Sequence, residues 1–387
     1  MKCLFVHDHK FPKYNGDYYE SPGFDVSFFE RYKNIFGELS IFACEQIALK
    51  ENVKGRKIIN EYADFHTFIS KRKSILKEAR KGLYSCIKKS DYVVIRLPSF
   101  FGLIAARICE KTNKPYLLEI VGCPWDAVST RGIIWKIPAF FFALMTKKVV
   151  KKAKYCVYVT QHFLEKRYPT RGKYINCSNV TLENYGTCNL EKRKKRIRNI
   201  DTSSFTIGTC ASLDTIYKGQ DDVFLAIKNL KKIGITIKYQ LAGGGNSDRL
   251  KRIIEKLEIQ DSVEFVGELS HKEVFEWLDT LDIYVHPSKQ EGLSRAIIES
   301  MSRACPIFAA DAGGVHEQID EECIFKKGDA KQMVYLLSHL DKDRLLSYSM
   351  NNYERAKQYQ SDFLYKKRKD FFKSFIINNN SGGLAND

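Results

Sequence analysis

Two glutamates eight positions apart, Glu291 and Glu299, lie in the run PSKQEGLSRAIIESM (287–301), where a loop gives way to a helix. Unpaired N–H groups and the positive dipole end of such a helix suit a diphosphate. Glu291, ahead of the helix, is placed to accept hydrogen bonds from sugar hydroxyls, and Glu299, two turns in, from a ribose. Lys218, in DTIYKG after another strand, can reach the same diphosphate and neutralise charge as a sugar departs. A glycine turn, AGGG at 242–245, allows close approach of backbone to a ligand. It is neither a G-x-G-x-x-G fingerprint nor a P-loop. Each of these residues taken singly is ordinary surface chemistry, and the combination carries the reading.

Such residues need a scaffold that gathers strand ends. Apolar segments at 205–208, 235–241, 263–266, 281–285 and 306–309 alternate with helical stretches centred near Ala226, Ile254, Phe275 and Ile298. Apolar strands interleaved with helices predict a parallel sheet covered on both faces. The first half repeats the pattern. Strands are expected at 2–6, 39–44, 91–95, 115–120 and 155–160, and helices at 24–36 and 100–110. Gly16, Pro22 and Gly23 mark a long loop, and 50–81 is basic and weakly patterned. The alternation breaks around Gly186 and the charge run EKRKKRIR. The expected fold class is α/β, with two Rossmann-like domains facing each other across a cleft and ligands at the C-terminal strand ends. The expected boundaries are a first domain at 1–185, a linker at 186–203, a second domain at 204–357, a C-terminal helix at 358–378 and a flexible tail at 379–387. That helix, basic and aromatic, either packs back on the first domain or lies solvated on the surface.

Composition narrows the partners. Lys and Arg number 63 against 46 Asp and Glu, a net charge of +17 that favours an anionic surface or substrate. No C2H2, homeodomain or RNP-like pattern is present, so nucleic acid is not expected. Eleven cysteines without a C-x-x-C pair read as reduced thiols in a cytoplasmic protein. No signal-peptide pattern opens the chain, and its longest apolar run, 139–145, is too short to span a bilayer.

The second half resembles the retaining GT-B glycosyltransferases of the family 4 type, glycosyl transferases group 1. Pro287, Ser288, Glu291, Gly292, Glu299, Ser300 and Met301 match that family's E-x7-E segment, and Pro306, Ile307, Asp311, Gly313, Gly314 and Glu317 match the strand and double-glycine stretch on its C-terminal side. Lys218-Gly219 matches its phosphate-binding pair, Gly244-Gly245 its glycine turn, and Phe265-Val266-Gly267 the segment whose backbone lies near the base. The resemblance implies transfer of a sugar from an NDP-sugar, with UDP favoured, with retention of configuration and with no cofactor or divalent metal. It implies donor contacts from Lys218, Gly244, Gly245, Val266, Gly267, Glu291, Gly292, Leu293, Ser294 and Glu299, with Lys218 and Glu291 nearest the chemistry. Two departures stand out. The arginine common before the lysine is absent from GTCASLD (Thr209, Cys210, Ala211, Ser212), and Cys305 replaces a glycine. A non-catalytic nucleotide-sugar-binding protein and a UDP-GlcNAc 2-epimerase-like enzyme remain the alternatives.

The first half is expected to hold the acceptor. The run EIVGCPWDAVS resembles an E-V-V-G-D-P-W-D-A segment of bacterial polysaccharide transferases, with Cys123 in place of Asp. It offers Glu119 and Asp126 to orient or deprotonate an acceptor hydroxyl. Arg96 follows a strand and is available to an anionic group, and His7, Asp8 and His162 lie at other strand ends. In RGIIWKIPAFFFALMTKKVVKKAKY, Trp135 and three phenylalanines precede Lys147, Lys148, Lys151, Lys152 and Lys154. This is either a buried helix with a basic end or a contact with an anionic membrane surface. The second reading makes the protein peripheral on the inner face of the cytoplasmic membrane. It suits a glycan or polyprenyl-diphosphate-linked acceptor in capsule or lipopolysaccharide assembly.

Overall fold

The computed structural model describes residues 1–21, 23–49, 55–58, 62–68, 73–129, 132–183 and 187–380. The chain divides into two compact units, one of residues 1–159, 164–177 and 366–387, the other of 160–163 and 178–365.

The first unit is built on strands β1 (Lys2–Tyr14), β2 (Asp17–Tyr19), β3 (Glu38–Ile47), β4 (Lys57–Ile58), β5 (Asp64–Phe68), β6 (Tyr92–Leu97), β7 (Tyr116–Ile120), β8 (Tyr155–Tyr158) and β9 (Lys173–Asn176). The parallel order β5-β3-β1-β6-β7-β8-β9 reverses direction between β1 and β6, which makes a topological switch point. Leu4, Phe5, Val93, Val94, Leu117 and Cys156 are fully buried, as strands covered on both faces require. β1 is longer than the apolar run 2–6 predicts. Its register against β3 shifts between Val6 and Lys10, and the strand then continues to Tyr14. Asn15 and Gly16, with φ of 49° and 85°, close a two-residue hairpin onto antiparallel β2. So part of the expected loop is a turn between paired strands. Within 50–81, β5 and a helix over Lys73–Lys89 are formed, while 50–54, 59–61 and 69–72 lie outside the described residues.

Helix Ser361–Asn380 completes this unit. Phe372 packs against Tyr32 and Phe36, and Phe375 against Tyr92 and Tyr155, with ring centroids 5.1–6.1 Å apart. Residues 381–387 of the expected tail lie outside the described residues.

The second unit has β10 (Ser204–Cys210), β11 (Thr236–Ala242), β12 (Val263–Gly267), β13 (Ile283–His286), β14 (Ile307–Ala310) and β15 (Ile324–Phe325). All are parallel in the order β12-β11-β10-β13-β14-β15, the doubly wound arrangement with its switch point between β10 and β13. The charge run expected in the linker forms helix Thr187–Arg198. There Arg193 is buried and donates to the carbonyls of Leu278, Leu281 and Arg303, satisfying helix-end acceptors of the second unit. Among the described residues no helix is long and apolar enough to cross a membrane.

Candidate functional site

The switch point of the second unit gathers side chains from the loops after β10 and β13. Lys218 ends a 3₁₀ turn after β10, and the left-handed Gly219 (φ 75°) follows it. A Cβ on Gly219 would stand 2.2 Å from the carbonyl oxygen of Pro287, so only glycine lets the two loops meet. That approach brings Lys218 Nζ to 2.9 Å from Glu291 Oε1. The same oxygen lies 3.0 Å from His286 Nε2, at the end of β13. A carboxylate only accepts, so Nε2 carries the hydrogen. The Tyr284 hydroxyl lies 3.5 Å from the other ring nitrogen, and Ser294 Oγ 3.3 Å from Nε2.

Burial alone would raise the Glu291 pKa. The His286 hydrogen bond and the nearby charges of His286 and Lys218 outweigh it and hold the carboxyl at about 2. At the end of β10, burial, with the Glu299 carboxylate adding to it, pushes the Cys210 thiol up to about 11 despite Lys218.

Glu299 sits inside helix Arg295–Ser302, 5 % exposed, with Oε1 3.3 Å from His271 Nε2 at the start of helix His271–Thr280. The hydrogen bond to Glu299 raises the His271 pKa against a smaller effect of burial. Ser294 caps its helix by accepting from the Ile297 N–H, and its own N–H and C=O are both met by the Gln318 amide. Ser294 is thus committed to the unit's interior. Gly292, Leu293 and the side chain of Glu291 are partly exposed beside it.

The double glycine has a packing role. Gly313 has φ 57°, and a Cβ there would lie 1.9 Å from the Glu291 carbonyl oxygen. Gly314 N–H donates to the Gly292 carbonyl at 2.9 Å. Glu317 accepts from the backbone N–H groups of Gln161, His162 and Phe163, so it and His162 are tied to each other in the second unit. On the other side of the switch point, Leu213 N–H donates to the Gly244 carbonyl and Gly243 N–H to that of Gly267. This sets Gly244, Gly245, Val266 and Gly267 along one edge of strand ends. At the position lacking the family's arginine, Thr209 is buried and donates to the Val285 carbonyl, closing off that strand end.

In the first unit, Glu119, expected to serve an acceptor hydroxyl, is 1 % exposed. It accepts from the Tyr32 hydroxyl at 2.8 Å and pairs with Arg96 at 3.4 Å. Burial opposes its ionisation, but Arg96, Arg368, Tyr32 and Arg31 together hold its pKa below the usual carboxylate range. Arg96 is not presented to an anion either. Its guanidinium lies 4.9–5.6 Å from the ring centres of Phe5, Phe24 and Phe28, with Glu119 as its charge partner. Asp8 caps helix Phe100–Thr112 through Ser99 and the Phe100 and Phe101 amides. Burial, with Arg96 and His9 nearby, holds His7 neutral. Asp126, half-buried in the short helix Pro124–Ser129, is the expected acceptor-side carboxylate nearest solvent.

His286, His271 and Gln318 are the site residues that sequence reasoning missed. His286 had a signal, since it immediately precedes the Pro287-Ser288 pair. Among the described residues no cluster of three or more His, Cys, Asp and Glu side chains could hold a metal ion.

Comparisons with known proteins place this arrangement. Residues 191–359 match the family described as glycosyl transferases group 1. Protein CapJ of Staphylococcus aureus is 34% identical over 350 residues, 87% of this chain and 86% of that protein. The amylovoran biosynthesis glycosyltransferase AmsK of Erwinia amylovora is 28% identical over 133 residues, 32% of this chain and 33% of AmsK. The crystal structure of Anabaena HepE in complex with UDP superposes with a TM-score of 0.69 at 14% identity, covering 97% of this chain and all of HepE, which shows a shared fold. The chain belongs to the glycosyl transferases group 1 family of GT-B-fold glycosyltransferases.

Proposed function

We propose that this glycosyltransferase moves a sugar from a UDP-sugar to a glycan or lipid-linked glycan in bacterial surface polysaccharide assembly, with retention of configuration and without a divalent metal. The observation that carries the reading is the Lys218–Glu291–His286 network at the β10/β13 switch point, with Glu299 two turns into the following helix. A relative named for amylovoran biosynthesis and a fold neighbour solved with UDP support the substrate classes.

In this reading Lys218 exchanges Glu291 for the diphosphate and offsets the charge of the leaving group. Glu291, already ionised, then accepts from donor-sugar hydroxyls, with His286 holding its orientation. Glu299 accepts from the ribose. Gly244, Gly245, Val266, Gly267, Gly292 and Leu293 offer backbone to the nucleotide. Residues 204–357 bind the donor and 1–185 the acceptor. Asp126 serves the acceptor hydroxyl, and Glu119 acts from beneath by holding Arg96 and Tyr32. Peripheral attachment to the inner face of the cytoplasmic membrane belongs to the same proposal, since a lipid-linked acceptor lies there.

Calorimetric titration with UDP, GDP and ADP, in EDTA and in magnesium, tests the donor site. The expected result is UDP binding unchanged by EDTA and weakened at least tenfold in Glu299→Ala, about 1.4 kcal/mol. Absence of binding by all three nucleotides overturns the reading. Retention is then read from the anomeric configuration of the product by NMR.

A further inference from the structure

The segment from Ile133 to Lys152 is apolar on more than the face its own unit uses. A 3₁₀ turn, Ile133–Trp135, leads into helix Lys136–Lys152. Ala139, Thr146, Val149 and Val150 bury one side of the helix. Ile137, Phe140, Phe141 and Leu144, spaced as one helical face, point elsewhere and are 70, 55, 56 and 38 % exposed. Ile133 and Ile134 ahead of them are more than four-fifths exposed. Single exposed apolar residues are ordinary, but a contiguous set of this size marks an interaction surface.

The second half of the same helix changes character. Lys148, Lys151 and Lys152 join Arg107 and Arg171 around a groove of about 590 Å³. One carboxylate, Glu110, offsets these five cations, 3.5 Å from Lys152. The apolar and basic centres are nearly three turns apart along the axis, roughly 15 Å. This charge distribution runs along the helix, so one end suits an acyl layer and the other a row of phosphates.

We propose that Ile133–Leu144 inserts into the headgroup–acyl boundary of a bilayer while the Arg107–Lys148–Lys151–Lys152–Arg171 groove seats the phosphate of an anionic phospholipid. This rests on, and specifies, the membrane attachment in the proposed function. An uncharged bilayer leaves the groove without a counter-charge. A protein partner is the competing outcome of the test.

The test is sedimentation of the full chain with phosphatidylcholine vesicles, with and without phosphatidylglycerol, alongside UDP calorimetry on the same samples. Wild type is expected to sediment with the phosphatidylglycerol vesicles and to be released by salt. Lys148→Gln with Lys151→Gln should weaken binding by about fivefold per charge removed. Ile137→Ser with Phe140→Ser and Phe141→Ser should abolish sedimentation while the first unit's thermal unfolding and the UDP affinity both stay at the wild-type values, which shows that the fold is kept. Failure of wild type to sediment, or wild-type sedimentation of the triple-serine variant, overturns the proposal and leaves the surface to a protein partner. Sedimentation without UDP binding removes the donor assignment and leaves this one standing.

Discussion

Replacing Glu291 by glutamine keeps its shape and removes its charge. The folded carboxyl titrates at about 2 rather than 4.5 because His286 and Lys218 stabilise its ionised form more than burial penalises it. At about 1.36 kcal/mol per tenfold change in proton affinity, that difference corresponds to about 3 kcal/mol. The group is 13 % exposed, so solvent takes little from this figure. The folded pKa is depressed. Its contribution is therefore complete above the unfolded value and is lost as the pH falls from there through the folded one. Glu291→Gln should lower the melting temperature of the second unit by about 6–12 °C at neutral pH. The gap should narrow as the pH drops below the unfolded value. Differential scanning calorimetry across that range measures it, with the second unit's transition assigned by its upward shift on added UDP, as the proposed function expects. If the variant melts with the wild type at neutral pH, Lys218 and His286 do not stabilise this carboxylate, and the reasoning fails. A gap that widens in acid would be equally damaging.

Gly313→Ala puts a Cβ against the Glu291 carbonyl at a positive φ, and should destabilise the second unit by at least about 3 kcal/mol in urea titration. In Glu299→Gln the His271 ring should titrate at a lower pH than in wild type, followed by NMR of its Cε1 proton, because the hydrogen-bonded carboxylate is what raises it. His271 therefore adds stability below its ordinary pKa that fades as the pH climbs through the raised value. Glu119→Leu leaves Arg96 and its neighbours without their buried counter-charge, and should cost the first unit about 3–5 kcal/mol by thermal unfolding.

Much of the second unit was legible because its signals are local. Apolar runs gave five strands of the six-stranded sheet, all but the two-residue β15, and the family resemblance drew attention to Lys218, Glu291 and Glu299. What the sequence hid were partners chosen by folding. His286 reads as one more strand residue until β13 lies beside β10, and Gln318 reads as surface until its amide meets Ser294. The first unit was harder. Its longest strand changes register midway, so the apolar run stops at Val6 while the pairing continues to Lys13. Gly16 read as part of a long loop, and only β2 pairing with β1 turns Asn15-Gly16 into a hairpin. Arg96 and Glu119 look like surface chemistry because each is charged, yet each finds the other inside an aromatic shell that long-range contacts assemble. The charge run expected in the linker hid its partners for the same reason: it forms a helix whose Arg193 finds carbonyls roughly ninety residues away.

The helix that supplies Phe372 and Phe375 has a consequence for the order of events during synthesis. The aromatic residues it meets, Tyr32, Phe36, Tyr92 and Tyr155, leave the ribosome more than two hundred residues before it does. The second unit ends at Tyr365 and has all its strands while the first still lacks a wall. The earliest-made part of the chain is thus the last to close, and its unfilled aromatic trough is open to wrong partners throughout elongation. Premature termination anywhere after Tyr365 and before Phe372 would release a complete second unit attached to an unfinished first one.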